Sequence, residues 1–184
     1  DGQQPPKPVF RTGAELVRLP RQSGKGSAVR AGIEHLEGRT AAVLVIDADG
    51  QHPAEAIPGF LAAGRHAELV IGDRFGDLAA MPRHRRAANR FTRLLFQLVT
   101  GRRVRDTQNG MRLLRGPALA SFPAGRYEAE TKHLKWVLRD GLSVAWVPMP
   151  AIYGSESSSF RSGRDSARVL WALVAPSARP DRSR

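Results

Sequence analysis

Ala41-Ala-Val-Leu-Val-Ile-Asp-Ala-Asp-Gly-Gln-His52 is the stretch on which the rest of the chain turns. Its short apolar run, bounded by turn residues, reads as a strand buried on both faces, the kind found inside parallel sheets. Carboxylates at the C-terminal end of such a strand stand at the mouth of the sheet, where open α/β folds bind ligands. Side chains at i and i+2 of a strand share a face, so Asp47 and Asp49 are expected to converge on one cation. Two hard anionic oxygens suit Mg²⁺ or Mn²⁺ and leave coordination positions for phosphate oxygens.

On either side of this stretch the chain alternates between short apolar runs and helical periodicity. Residues 14–19 alternate as a strand does, Gly24-Lys-Gly26 opens a helix, and Val29, Ile33 and Leu36 give that helix one apolar face. With the strand at residue 41 this makes a strand–helix–strand unit of a parallel sheet. Pro53 starts a further helix to about Gly64, with a kink expected at Pro58. Residues 67–72 read as a strand ending in Asp73-Arg74, and residues 81–86 as a basic loop. A helix over residues 87–100 is expected to turn Phe91, Leu94, Leu95 and Leu98 inward. Residues 106–112 look polar and turn-like, residues 117–122 and 128–139 helical, and residues 142–147 a strand following Gly141. A Ser-rich loop leads to an amphipathic helix over residues 165–174, with Ala167, Leu170 and Val174 among its apolar side chains. Residues 176–184 read as a disordered basic tail.

A length of 184 residues suits one domain with one core, here taken as residues 1–175. No apolar run approaches the roughly 20 residues that span a bilayer. The absence of cysteine excludes disulfides and thiolate metal sites. The net charge of +12 comes almost wholly from arginine, the only lysines being Lys7, Lys25, Lys132 and Lys135. Guanidinium forks match phosphate geometry, which points to nucleic acid, anionic lipid or phosphorylated small molecules as partners.

Seven segments, in order, resemble the family 2 glycosyltransferases of the GT-A fold, in particular the dolichyl- or polyprenyl-phosphate mannosyltransferase branch. They are Gly24-Lys-Gly26, Val45-Ile-Asp-Ala-Asp-Gly-Gln-His-Pro53, Val70-Ile-Gly-Asp-Arg74, Met81-Pro82 with Arg85-Arg86 and Asn89-Arg90, Asp106-Thr-Gln-Asn-Gly-Met-Arg112, Tyr127-Glu-Ala-Glu-Thr131 and Ile152-Tyr-Gly154. The resemblance covers roughly residues 14–165. It implies an α/β, GT-A (nucleotide-diphospho-sugar transferase) fold with a mostly parallel, Rossmann-like sheet flanked by helices. It also implies an inverting, metal-dependent transfer of mannose or glucose from GDP-mannose or UDP-glucose to a polyprenyl phosphate. The metal ligands would be Asp47, Asp49 and Gln51, and the donor would lie against Lys25, Asp47, Asp49 and Gln108. Arg74, Arg85, Arg86 and Arg112 would grip acceptor or donor phosphate. Asp49, Asp106 and Glu130 are the catalytic candidates, the last two as base if the acceptor were a sugar hydroxyl of a cell-envelope glycan. Family members open with a further strand and a Pro-x-Tyr-Asn-Glu-like turn absent from this sequence, and Gln22 stands where they more often carry Asn. Asp1-Gly2 resembles the end of an Asp-Asp-Gly turn, so the domain is expected to be N-terminally truncated.

Other readings fare worse. A P-loop would need Gly at Leu19 and Ser or Thr at Gly26. An EF-hand would need Glu at Pro58. A haloacid-dehalogenase-type phosphatase, with Asp47 as nucleophile, Asp49 as acid/base and Asp73 with Asp77 on the metal, would need a longer core between Asp47 and Asp73, with a lysine in it. A nucleic-acid-binding domain would interleave aromatics with a basic stripe, but aromatics make up 7% of the chain. The arginines at 83, 85, 86, 90 and 93 and the amphipathic last helix suit a peripheral enzyme on the cytoplasmic face of a membrane. His52 is either a ligand or a solvated loop residue, and Glu128 and Glu130 also suit a helix N-terminus.

Overall fold

The computed structural model describes residues 14–76, 83–150 and 162–175, without the side chains of 83–85, 88 and 162–166. The segments at 77–82 and 151–161, Arg85's side chain and the tail from 176 thus lie outside the described residues. Four strands, β1 (Ala42–Val45), β2 (Leu69–Asp73), β3 (Arg112–Arg115) and β4 (Val144–Pro148), form one sheet in the order β1-β3-β2-β4. Strand β3 runs antiparallel to both neighbours, and β2 runs parallel to β4. The mostly parallel sheet expected from sequence is therefore mixed. The chain leaves β2 at one end of the sheet and re-enters β3 at that same end, which forces the antiparallel pairing. Since β1, β2 and β4 all oppose β3 in direction or parallel a strand that does, their C-terminal ends share one mouth.

The alternation of β2 sets two cores, one on each face of the sheet. Leu69 and Ile71 meet Phe96, Leu134, Trp136, Val137 and Leu173 from α3 (Arg83–Thr100), α5 (Glu128–Arg139) and α6 (Ser162–Val174). Val70 meets Phe60 of α2 (Ile57–Ala63) with Met111, Leu113 and Met149 on the other face. The two remaining helices are α1 (Lys25–His35) and α4 (Gly116–Ala120).

Several expectations are corrected here. Residues 14–19 form no strand; their backbone has no ladder partner among the described residues, and Glu15 instead binds His35 and Arg39. Strand β1 is only half-buried at each position, and Ile46 is exposed, so it is not covered on both faces. Pro58 lies in the first turn of α2, where it replaces an orphan N–H without a kink; a 3₁₀ turn at Ala54–Ala56 precedes it. Arg83 to Arg86 belong to α3 and not to a loop. On α3 only Leu95 of the four expected inward residues is half-buried; Phe96 reaches the core, while Phe91, Leu94 and Leu98 face solvent. Among the described side chains of α6 the buried residues are Val169, Ala172 and Leu173, one position away from the expected stripe. Helical period is legible in sequence; which flank of an apolar arc meets the core is decided by the neighbours.

Buried polar groups tie the helices together. Lys135 Nζ donates to the carbonyls of Ala172, Leu173 and Ala175 at 3.0, 2.6 and 2.8 Å, closing the C-terminus of α6, and burial lowers its pKa. His133 Nε2 donates to Ala118 O at 2.8 Å, while burial and the nearby Arg112 push its pKa down to about 3. The unfolded chain binds this proton near pH 6.5, so between pH 6.5 and 3 the unfolded state holds more protons and acid removes stability. We expect about 2 kcal/mol to be lost to this group between pH 7 and pH 5, measured by urea unfolding. His133→Gln should remove that part of the slope, and an unchanged slope would refute the assignment.

Candidate active site

The mouth of the sheet gathers carboxylates because three strands end there. Asp47 follows β1, Asp73 ends β2, and Glu130 lies in the first turn of α5. Lys25, first residue of α1, reaches between two of them: its Nζ is 2.7 Å from Asp47 Oδ2 and 2.7 Å from Glu130 Oε1. Burial disfavours this ammonium, but Glu130 and Asp47 outweigh burial and raise its pKa. Lys25 is thus a cation at any physiological pH, bridging two anions.

Local sequence explains the bridge. Gly24, at φ +93°, adopts a turn that other residues avoid, and Gly26 lies so close to α5 that a Cβ would stand 2.3 Å from Ala129 Cβ. The Ser27 N–H then donates to Gly125 O at 2.9 Å. The paired glycines press the start of α1 onto the start of α5, and Lys25 between them has no other course than toward Glu130. Gly110 closes the roof: a Cβ there would stand 2.4 Å from Asp47 Oδ2 and 2.5 Å from Lys25 Nζ.

A second ion pair flanks the first. Arg74 holds Asp106 in a two-pronged contact, Nε to Oδ2 at 2.7 Å and Nη2 to Oδ1 at 3.1 Å. Asp106 is 2% exposed and also receives the Gln108 N–H at 3.0 Å. In this structure it positions Arg74 and its own loop. Gln108 is half-buried beside it. Arg105, unflagged in sequence, extends an exposed guanidinium whose Nη1 is 3.5 Å from Asp73 Oδ2. Its only signal was adjacency to Asp106.

The expected phosphate ligand Arg112 is corrected outright. Its side chain is fully buried and donates to three backbone carbonyls, Asn109 at 2.8 Å, Glu130 at 3.0 Å and Thr107 at 3.0 Å. Burial lowers its pKa, opposed by Glu130 and Asp106. It braces the 107–109 loop against α5 and cannot reach a ligand. Arg86 is half-buried in the first turn of α3.

Asp47 and Asp49 are not brought together by strand alternation, because β1 stops at Val45 and the chain turns at 48–49. Asp49 is exposed, and its Oδ1 accepts the Gln51 N–H at 3.0 Å. Gln51 is half-buried, and the structure ties only its backbone to Asp49. His52 Nδ1 accepts the Asp47 N–H at 2.9 Å, and its Nε2 lies 4.0 Å from Asp47 Oδ2. Burial lowers the His52 pKa, so a neutral ring fixes the acidic turn from within. Among the described residues no three His, Asp or Glu side chains gather to hold a metal. One exposed carboxylate beside a second, lysine-bound one fits a cation that takes most of its ligands from a diphosphate and water. A cavity of about 970 Å³, lined by Ile33, Arg65, His66, Pro117 and Phe122 among others, opens at the other end of the sheet and touches none of these residues.

A sequence model described as glycosyl transferase family 2 matches residues 7–121, more than half of the chain. The chain belongs to glycosyl transferase family 2. Solved structures show its fold. It is similar to glucosyl-3-phosphoglycerate synthase from Mycobacterium tuberculosis in complex with uridine-diphosphate, at TM-score 0.63 and 24% identity, over 85% of this chain and 56% of that one. The same enzyme in complex with Mn²⁺, uridine-diphosphate-glucose and phosphoglyceric acid gives TM-score 0.64 and 23% identity over 85% and 55%. Its complex with Mn²⁺, uridine-diphosphate-glucose and glycerol 3-phosphate gives TM-score 0.57 and 25% identity over 85% and 56%. A search of curated proteins finds no match. This family 2 chain has the GT-A fold, as an α/β domain with a mixed sheet flanked by helices, and it spans a little over half the length of the structures it resembles.

Proposed function

We propose that this domain moves a hexose, with inversion, from a nucleoside-diphosphate sugar to an acceptor phosphate, the acceptor being a polyprenyl phosphate at the cytoplasmic face of a membrane. The observation that carries the acceptor class is that both base candidates are already committed. Asp106 is clamped by Arg74, and Glu130 Oε1 is held by Lys25. A hydroxyl acceptor needs a base free to take its proton; an ionised phosphate oxygen needs cations to hold it. Arg105, with Arg86 at the start of α3, supplies them.

On this reading Asp49 and Asp47 would hold a divalent cation, Mg²⁺ or Mn²⁺, against the donor's diphosphate, and Lys25 would present Asp47 at a fixed orientation. The bound cation would supply charge to the departing nucleoside diphosphate. The missing side chain of Gly110 leaves room for the Lys25–Asp47 pair itself, which packs against its backbone. UDP-glucose is the first donor to test, because similar solved structures hold it with Mn²⁺, and GDP-mannose the second. Those structures also hold phosphoglyceric acid or glycerol 3-phosphate, which favours a second reading with a small phosphorylated acceptor.

Calorimetric titration with each donor, with and without Mn²⁺, tests the site. Metal-dependent binding is expected, and Asp49→Ala should lower it at least about tenfold, since one of two carboxylate ligands is lost. Unchanged metal-dependent affinity in Asp49→Ala would remove the metal site from this turn. Product formation with a short polyprenyl phosphate against glycerol 3-phosphate then separates the two acceptors.

A further inference from the structure

We propose that the outer faces of α3 and α6 form a docking surface for an anionic lipid bilayer. The amphipathic helix α3 is mounted with its apolar side outward. Phe91, Leu94 and Leu98, at i, i+3 and i+7, are 59, 57 and 73% exposed, whereas the polar Asn89, Thr92 and Thr100 lie on half-buried positions with Phe96 beneath them. Thr100 Oγ1 donates to Phe96 O at 2.7 Å and Arg93 Nε to Val104 O at 3.1 Å, so the inward polar side is bonded and the orientation is built in. The neighbouring α6 repeats the arrangement, exposing Leu170, Val174 and Trp171, the last at 69%. A soluble surface rarely leaves so many large apolar groups on two adjoining helices without a partner.

Charge selects the partner. Residues 83–105 contain eight arginines and no acid. Arg90, one turn before Leu94, and Arg102 and Arg103 past the helix end are exposed beside the apolar stripe. Apolar side chains rimmed by arginine, with a tryptophan at the edge, are what an interface helix needs to enter the headgroup region of an anionic leaflet. A second copy of the chain fits worse, because a two-fold pairing of this face would set arginine rim against arginine rim. Among the described residues no helix is long and apolar enough to cross a membrane. The surface is also held in place. α3 lies between Arg74 and Arg105-Asp106 in the chain, and its Arg93 lies 4.7 Å over the ring of Phe75. The inward side of α3 is thereby anchored next to Arg74, leaving its apolar side free to face outward. Docking itself does not depend on the acceptor proposed above.

The test is co-sedimentation of the chain with vesicles of phosphatidylcholine alone or with about one-third phosphatidylglycerol, at low and high salt. Binding to the anionic vesicles only, weakened by salt and about fivefold by Arg90→Gln, is expected. Leu94→Glu with Leu98→Glu changes exposed positions and should leave the unfolding midpoint near that of the parent while abolishing sedimentation. Should that variant fold poorly, quenching of Trp171 by brominated lipid in the unaltered chain, compared with Trp171→Phe, reports the same contact. No binding to anionic vesicles, or equal binding by the folded double variant, overturns the proposal. So does a dimer in sedimentation velocity that the double variant splits, or tight salt-sensitive retention on DNA in place of vesicles.

Discussion

Arg112→Ala costs about 4 kcal/mol of stability, enough to remove a large share of the margin of an ordinary domain. The guanidinium satisfies the carbonyls of Thr107, Asn109 and Glu130, all in the interior. Each orphaned buried acceptor costs about 1–3 kcal/mol, and the nearby Glu130 and Asp106 lose a compensating cation. Arg112→Lys recovers a charge but not the three-way fork, so it should fall between the two. Urea unfolding at neutral pH measures both. If Arg112→Ala unfolded within about 1 kcal/mol of the parent chain while weakening acceptor use, the phosphate-binding role expected from sequence would be restored and the bracing role lost.

The contrast between Arg112 and Lys25 shows what the sequence could and could not disclose. That Lys25, Asp47 and Glu130 stand at the mouth of the sheet was legible because each sits at the end of an element whose type is written locally: a glycine-bracketed helix start, an apolar run, an acidic first turn. Arg112 was not, since its partners are backbone carbonyls from two separate segments, and backbone oxygens leave no mark in composition. The inward turn of Asp106 toward Arg74 was hidden for another reason: the two side chains are brought together only by the excursion through α3. Strand β3 escaped notice because Leu113 and Leu114 are its only apolar residues, bracketed by arginines. The direction of α3 escaped notice because a helix pattern states that one side is apolar, and expectation alone assigns that side to the core.

Gly110→Ala should lower turnover about 100-fold or more while leaving the domain folded. The new methyl carbon would stand 2.4 Å from Asp47 Oδ2 and 2.5 Å from Lys25 Nζ, so the pair must separate or swing away. Both atoms are ends of side chains and move at small cost to stability, and Gly110 does not have the positive φ that alanine avoids. The injury therefore falls on geometry at the mouth of the sheet. A factor of 100 corresponds to about 2.7 kcal/mol of lost transition-state stabilisation, the scale of one misplaced charged contact. Steady-state rates with UDP-glucose or GDP-mannose, paired with thermal unfolding, measure the two parts separately. Turnover within twofold of the parent, with the fold intact, would mean that the Lys25–Asp47 contact is not part of the working site.

The place of β3 between β1 and β2 bears on how the chain is made. Strands β1 and β2 have no hydrogen bonds to each other; both wait for residues 112–115, and β2 waits further for β4. As the chain emerges from the ribosome, Leu69, Val70 and Ile71 are synthesised some forty residues before their nearest ladder partner. All three are fully buried in the finished sheet, so a nascent chain halted before β3 would display an unpaired apolar edge. Sheet closure is thus late in synthesis, begun by β3 and completed by β4, and the loop carrying Asp106 and Gly110 is translated immediately ahead of the strand that begins it.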